Sequence, residues 1–441
     1  MININQLFEK NSLNKNNKET LFLIEVSGIK NKLKEVNRLP LNLCIAIDIS
    51  GSMAQSISNK YYDIGGLRSV SNFEISKGFN ERGLSKMELA KKAAIKAVHN
   101  MNEQDTLSIV AFDGTTEVVV PAIKVTSNNK TGIIKAIQKL GPRGSTDLHK
   151  GWVDAATEVA KNMKDKSINR VLVISDGDTN CGVMSSEQIA SDVLALYNKQ
   201  ITTTTFGVGA GFNEDLLQAM SNSGGGNFYY ISDEKEFDQM FEEEFSGMSN
   251  ICGSEVKLQL QLEDGFKVKE QMNNLLESDN QYLLPNIVST SKLAVMFKLE
   301  TEIPKEVKKV KVGVATIDYK DEDGNKRQFV TEINMNVVGK KTWEKLEYNQ
   351  EVKVQETLMI IANNKIAATK AIDLGDISGA KQLLNGSANI LRSTGFNDSR
   401  LEAQGVAIGA TLLSAETVSS QEFRKDLAYQ SYKTRSGKSD N

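Results

Sequence analysis

From Leu41 to about Gly247 the chain alternates short apolar runs with amphipathic stretches. The runs are LCIAID (43–48), LSIVAF (107–112), RVLVIS (170–175), ITTTTFGVG (201–209) and NFYYI (227–231). They are short and rich in β-branched side chains, which favours strands over buried helix turns. Between them the period becomes helical. SKMELAKKAAIKAVHNM opens at Ser85 with Glu88 three residues on, the pairing of a capping box. Further helices are predicted from about Asp147, Ser185, Asn213 and Asp233. Near-continuous apolar strands alternating with helices predict an α/β fold, a doubly wound, mostly parallel, Rossmann-like sheet with helices on both faces. In such a sheet the ligand site lies beyond the carboxyl ends of the strands.

After Gly247 the pattern changes. EVKLQLQLE, KLAVMFKLE, KKVKVGVATIDY and QFVTEINMNVV, within residues 255–340, alternate apolar and polar positions at period two. That is the signature of half-exposed antiparallel strands, and Asp323-Gly324-Asn325 predicts the hairpin turn joining the last two. These strands predict a β-sandwich over residues 251–343. It is expected to recruit ETLFLIEVSG (19–28), because a strand left alone there would keep its polar backbone unpaired. Residues 346–441 turn helical again. Ile377, Ala380, Leu384, Ala388 and Leu391 form one apolar stripe, followed by helical segments from Asp398 to Val418 and from Gln421 to Tyr432. A polar tail, expected to be mobile, follows Lys433. The predicted organisation is a leader and sandwich strand in 1–37, an α/β domain in 38–247, the sandwich in 251–343 and a helical region in 346–441.

Composition narrows the function. A chain of 441 residues predicts two or three domains at roughly 100–200 residues each. Apolar residues at 40% and charged residues at 25% describe a globular chain and exclude a disordered one. A net charge of −3 over this length gives no electrostatic footprint for nucleic acid or an anionic membrane. Cys44, Cys181 and Cys252 are an odd count without CxxC spacing, against both a disulfide framework and a zinc site. Cys44, inside an apolar run, is expected to be a buried small hydrophobe. The first residues, MININQLFEKNSLNKNNKE, hold no apolar core of a signal peptide. No apolar run approaches the roughly 20 residues needed to cross a bilayer. The expectation is a cytoplasmic protein with no membrane span.

The chemistry begins directly after the first α/β strand, at Asp48-Ile-Ser50-Gly-Ser52. Gly144-Ser145-Thr146-Asp147-Leu148 precedes a helix, and Val173-Ile174-Ser175-Asp176-Gly177 ends a strand. Together, and in this order, the three loops resemble the metal-ion-dependent adhesion site of the von Willebrand factor type A family. The resemblance continues through TFGVGAGFNEDLLQAMSNSGGGNFYYI to about Gly247. The sandwich and helical tail are similar, more loosely, to the longer bacterial proteins of that family. The resemblance implies Ser50, Ser52 and Thr146 as hydroxyl ligands, with Asp48 and Asp176 acting directly or through water. Such hard oxygen donors suit Mg²⁺, with Mn²⁺ and Ca²⁺ as alternatives. Three neutral hydroxyls leave one position that a partner's Asp or Glu carboxylate would complete.

Around that site, Asp113 and Asp178 read as solvated loop residues, with a metal-tuning role as the alternative for Asp178. Residues 54–84 form an insertion where the family has only a few residues; it reads equally as a tolerated loop and as a lid or partner contact. Several lookalikes fail. Gly207-Val-Gly209-Ala-Gly211 has Phe212 where a dinucleotide loop needs its third glycine. Gly437-Lys438-Ser439 lacks the leading glycine of a phosphate loop, and Asp321-Glu322-Asp323-Gly324 lacks oxygen ligands at Tyr319 and Val330. His99, within an amphipathic helix, is expected to be structural, and His149, close after Thr146, has no nearby Cys or GxSxG serine with which to form a catalytic set.

The expected function is therefore a metal-dependent protein-binding scaffold or adaptor, not an enzyme. The family resemblance suggests an AAA+ ATPase of the MoxR type, or its client, as partner. The alternative is a metal-dependent hydrolase, with His149, Asp147 or Asp178 as general base. A third reading, a calcium-activated channel component, follows only from a name used in the family.

Overall fold

The computed structural model describes the chain except for residues 1, 15, 30–38, 57–83, 165, 177–178, 210–211, 232–233, 290–291, 304–306, 416–418 and 437–441. It divides into two units, one of residues Pro40–Ser246 and one of Met1–Leu39 with Gly247–Asn441. In chain order the second of these opens with β1 (Ile2–Phe8), β2 (Ser12–Asn14) and β3 (Glu19–Gly28).

The α/β unit follows as β4 (Leu41–Asp48), a 3₁₀ turn (Gly51–Ala54), α1 (Lys86–Asn100), β5 (Thr106–Phe112), β6 (Thr116–Lys124), α2 (Lys130–Gln138), α3 (Leu148–Ala160) and β7 (Ile168–Ser175). Then come α4 (Ser186–Tyr197), β8 (Ile201–Val208), α5 (Glu214–Ser223), β9 (Gly225–Ile231) and α6 (Glu234–Ser249). The sheet order is β6-β5-β4-β7-β8-β9. All neighbours are parallel except β6, which runs antiparallel to β5 at the edge. The chain leaves β4 toward β5 on one side and returns as β7 on the other. This reversal makes the carboxyl ends of β4 and β7 the switch point where open α/β sheets bind ligands. Every residue of β4 and β5 is buried, Cys44 among them, which explains their near-continuous apolar runs. Ser85 and Glu88 form the capping box of α1, while Asp147, Ser185 and Asn213 cap α3, α4 and α5.

The remaining strands are β10 (Ile251–Leu262), β11 (Phe266–Gln271), β12 (Glu277–Ser278), β13 (Gln281–Leu283), β14 (Ile287–Val288), β15 (Lys292–Thr301), β16 (Lys309–Asp321) and β17 (Lys326–Val338). One sheet has the order β1-β3-β15-β11, and the other β12-β13-β10-β16-β17-β2 with β14 on β10. Phe22, Ile24, Val295 and Phe297 share a core with Leu258, Ile317 and Ile333. The β16–β17 hairpin turns where predicted. Asp321 Oδ1 accepts the amides of Asp323 and Asn325, so its carboxylate serves the turn.

Two readings of the pattern need correction here. The polar leader contributes β1 and β2 to the sheets, with β1 paired along its whole length to β3. KLAVMFKLE is covered on both faces. Leu293, Val295 and Phe297 face the sandwich core, while Ala294 and Met296 join Leu21 and Leu23 beneath Val352 and Met359 of a helix.

That helix is α8 (Gln350–Asp373), which follows the short α7 (Lys340–Glu344) and precedes α9 (Ile377–Ser393), α10 (Ser399–Ser414) and α11 (Ser420–Arg435). The stripe read on α9 packs as expected, Ala380 and Leu384 meeting Ile361, Ile408, Phe423 and Leu427. The polar residues 437–441 lie outside the described ones. Lys365 of α8 is 0% exposed, with its ammonium donating to Gln404 Oε1 at 2.7 Å. Burial pushes its pKa down to about 7. A lysine depressed in this way contributes stability above its unfolded pKa and loses it as pH falls through about 7. Lys365→Met is therefore expected to stabilise this unit by about 1–4 kcal/mol at pH 7. The advantage over the parent should shrink toward pH 10 in urea unfolding. A constant or absent gap would show that Lys365 is not strained.

Candidate metal centre

Asp48 ends β4, and its buried carboxylate organises the first loop. Oδ1 accepts the Ser50 amide at 2.8 Å, and Oδ2 accepts the Ser175 hydroxyl, from the end of β7, at 2.5 Å. Ser50 Oγ lies 3.0 Å from Ser52 Oγ, which donates to Asp176 Oδ1 at 2.9 Å. Four of the five residues expected at the site thus form one hydrogen-bonded chain across the β4 and β7 ends. Burial pushes the Asp48 pKa up to about 6 against its hydrogen bonds from Ser175 and Ser50, with neighbouring Asp176 adding to the rise. A site that raises a carboxyl in this way gains from a cation.

Thr146 arrives on a loop strapped to the first one. Arg143 donates its amide to the Ile49 carbonyl, and Gly51 donates its own to the Gly144 carbonyl at 3.2 Å. Gly144 holds φ +70°, and a Cβ there would lie 2.9 Å from Asp113 Oδ2. Buried Thr146 is fixed to the third loop, donating its amide to Asn180 Oδ1 while its carbonyl accepts the amides of Asn180 and Cys181.

Three residues carry more than the sequence suggested. Asp113 is buried, not solvated. Desolvation opposes its ionisation, but bonds from Thr115 and Arg143 outweigh this and hold its carboxyl below the ordinary range. Asn180 is the clasp of Thr146. Lys86, 4% exposed at the start of α1, donates to Asp176 Oδ2 at 2.8 Å and to Gln55 Oε1 at 3.0 Å. Asp178, Gly177 and residues 57–83 of the insertion lie outside the described residues. The insertion's two ends do meet, as Ser56 bridges Ser85 and Lys86 donates its amide to the Gln55 carbonyl.

The donor set fits a hard divalent cation. Carboxylate and hydroxyl oxygens are the ligands Mg²⁺ and Mn²⁺ take, and no sulfur or imidazole stands among these residues. Among the described residues, no cluster of three or more His, Cys, Asp or Glu side chains could hold a metal. The hydroxyls of this site would therefore have to supply part of any shell. The dinucleotide lookalike closes from within, because buried Phe212 packs so tightly on Gly207 that a Cβ there would sit 2.6 Å from its ring.

The sequence profile of the von Willebrand factor type A domain matches residues 42–243. Residues 42–243 are such a domain. Among curated relatives, protein sll0103 of Synechocystis is 28% identical over 51% of this chain and 46% of its own length. Protein YfbK of Escherichia coli is 28% identical over 56% of this chain and 37% of its own. The human inter-alpha-trypsin inhibitor heavy chain H3 is 21% identical over 48% of this chain and 21% of its own. The match spans less than half of each relative. A solved von Willebrand factor type A protein from Catenulispora acidiphila shares the fold over 97% of this chain and 96% of its own. Its TM-score is 0.72 at 15% identity. The ArnB paralog VWA2 of Sulfolobus acidocaldarius follows over 99% and 98%, with TM-score 0.58 at 15% identity. Among the described residues no helix is long and apolar enough to cross a membrane.

Proposed function

We propose that this chain is a metal-dependent protein-binding scaffold or adaptor. Mg²⁺, or Mn²⁺ or Ca²⁺ in its place, would be held by Asp48, Ser50, Ser52, Thr146 and Asp176, and a partner's Asp or Glu carboxylate would complete its shell. The observation that carries the reading is the hydrogen-bonded chain from Ser175 through Asp48, Ser50 and Ser52 to Asp176 at the switch point. It presents hard oxygens on loops already locked together, so little ordering remains to be done on binding. One carboxylate–metal bond then gives orientation, and the surrounding surface selects the partner.

The hydrolase alternative needs a general base beside the ion. His149 Nε2 is engaged with Asp192 Oδ2 at 2.9 Å, and Asp147 caps α3 through the Lys150 amide. These two are engaged in holding helices, which supports binding, while Asp178, the third candidate base, lies outside the described residues. An AAA+ ATPase of the MoxR type, or its client, remains the partner that the family resemblance suggests. Tagged full-length chain is expected to retain its partners in Mg²⁺ and release them in EDTA. Equal recovery in both buffers would make any metal structural and remove the docking model.

A further inference from the structure

We infer that Lys86 is a tethered counter-cation of the metal site, which neutralises Asp176 in the metal-free chain and competes there with the divalent ion. The inference rests on the metal-site reading above and adds to it a residue that sets the ion concentration at which the site fills.

Helix formation does not explain a lysine at this position. Lys86 is the first residue of α1, where the helix dipole favours negative charge, and it is almost fully buried, where an ammonium loses its hydration. Both effects oppose it. The compensation is local: Asp176 Oδ2 at 2.8 Å and Gln55 Oε1 at 3.0 Å accept hydrogen bonds from its ammonium. The fold also makes room for its stem. Gly209, beyond the end of β8, holds φ +76°, and a Cβ there would stand 2.7 Å from Lys86 Cε. Closure of the insertion's ends at Ser56–Ser85 and Gln55–Lys86 brings the helix start to this place.

Both oxygens of Asp176 are therefore engaged, Oδ1 accepting from Ser52 and Oδ2 from Lys86. A divalent ion drawing on Asp176 must share that carboxylate with an ammonium or displace it. Like charges confined near one buried carboxylate repel strongly, because little water screens them. The lysine thereby lets the site stay folded without metal, at the expense of affinity for the ion.

The test uses the full chain with Mn²⁺ as probe. Calorimetric titrations would compare the parent with Lys86→Met and Lys86→Gln, the glutamine keeping a donor for Asp176 without its charge. Both variants are expected to bind Mn²⁺ at least about tenfold tighter. Lys86→Met should melt lower than the parent in EDTA and gain more on adding Mn²⁺. A merely structural lysine would not raise affinity when removed. If the parent binds Mn²⁺ and neither variant binds tighter, the competition is overturned while the metal site stands. If parent and variants all fail to bind, the metal site falls and the competition with it.

Discussion

Glu244→Ala is expected to cost the α/β unit about 3–5 kcal/mol of stability. Glu244 on α6 is buried under the sheet strands β7, β8 and β9. Its Oε1 accepts from the Arg170 guanidinium and from Thr204 Oγ1 at 2.8 Å, and its Oε2 accepts from Asn227 Nδ2 at 2.6 Å and Tyr229 OH at 3.0 Å. Arg170 is also buried, its Nε donating to Thr202 Oγ1 at 3.0 Å. Alanine would remove the carboxylate from beside a buried guanidinium and take one acceptor away from Thr204, Asn227 and Tyr229. Removing one partner of such a pair is far more destructive than replacing both with apolar residues, so Arg170→Met with Glu244→Leu should recover most of the loss. Urea unfolding in a Trp343→Phe background isolates the signal of buried Trp152, whose Nε1 donates to Thr203 Oγ1 at 3.0 Å within this unit. A loss below about 1 kcal/mol in the single variant would show that the pair contributes little.

The α/β sheet was legible because its central strands are buried almost throughout, so their sequences are near-continuous apolar or β-branched runs. Edge and recruited strands were not. TEVVVPAIK carries Pro121 and keeps most side chains exposed, as an antiparallel edge strand can, so no period marks it as β6. ININQLF was read into the polar leader because polar residues follow it; it pairs with β3 along its whole length, with Ile2 and Phe8 buried in the sandwich core and Ile4 packed against it. LFLIEV could be assigned to the sandwich but not explained, since its second apolar face is covered by α8, more than 300 residues later. The site divides in the same way. Asp48, Ser50 and Ser52 announce themselves by spacing on one turn, and Thr146 and Asp176 by their loops. Lys86 follows a long insertion, and lysine on a helix reads as surface. Asn180 acts by imitating a backbone acceptor, a role any loop asparagine could have.

Asp48→Ala is expected to abolish Mg²⁺ binding, and Thr146→Ala to do the same, in both cases with the fold retained. The two residues act differently. Asp48 supplies charge, and its two oxygens also hold the loop at the Ser50 amide and the Ser175 hydroxyl. Asp48→Asn separates these roles, since an amide oxygen can still accept from Ser50 but brings no negative charge to the ion. Thr146 is held through its own backbone by Asn180 and Cys181, so truncating its side chain leaves those clasps in place. Its substitution therefore isolates the hydroxyl. Thr146 stands on a loop beyond the strand ends, whereas Asp48 is the fully buried last residue of β4, so the near-isosteric Asp48→Asn is the variant of Asp48 that disturbs packing least. Calorimetry should find affinity lowered at least about a hundredfold in Asp48→Ala and Asp48→Asn, a difference of about 2.7 kcal/mol or more. Circular dichroism should match the parent in all three variants. Partners that dock through the ion should be lost in the same order as Mg²⁺, because the ion orients the incoming carboxylate. Undiminished Mg²⁺ heats in both Asp48→Ala and Thr146→Ala would place the cation away from the β4 and β7 ends and overturn the ligand assignment.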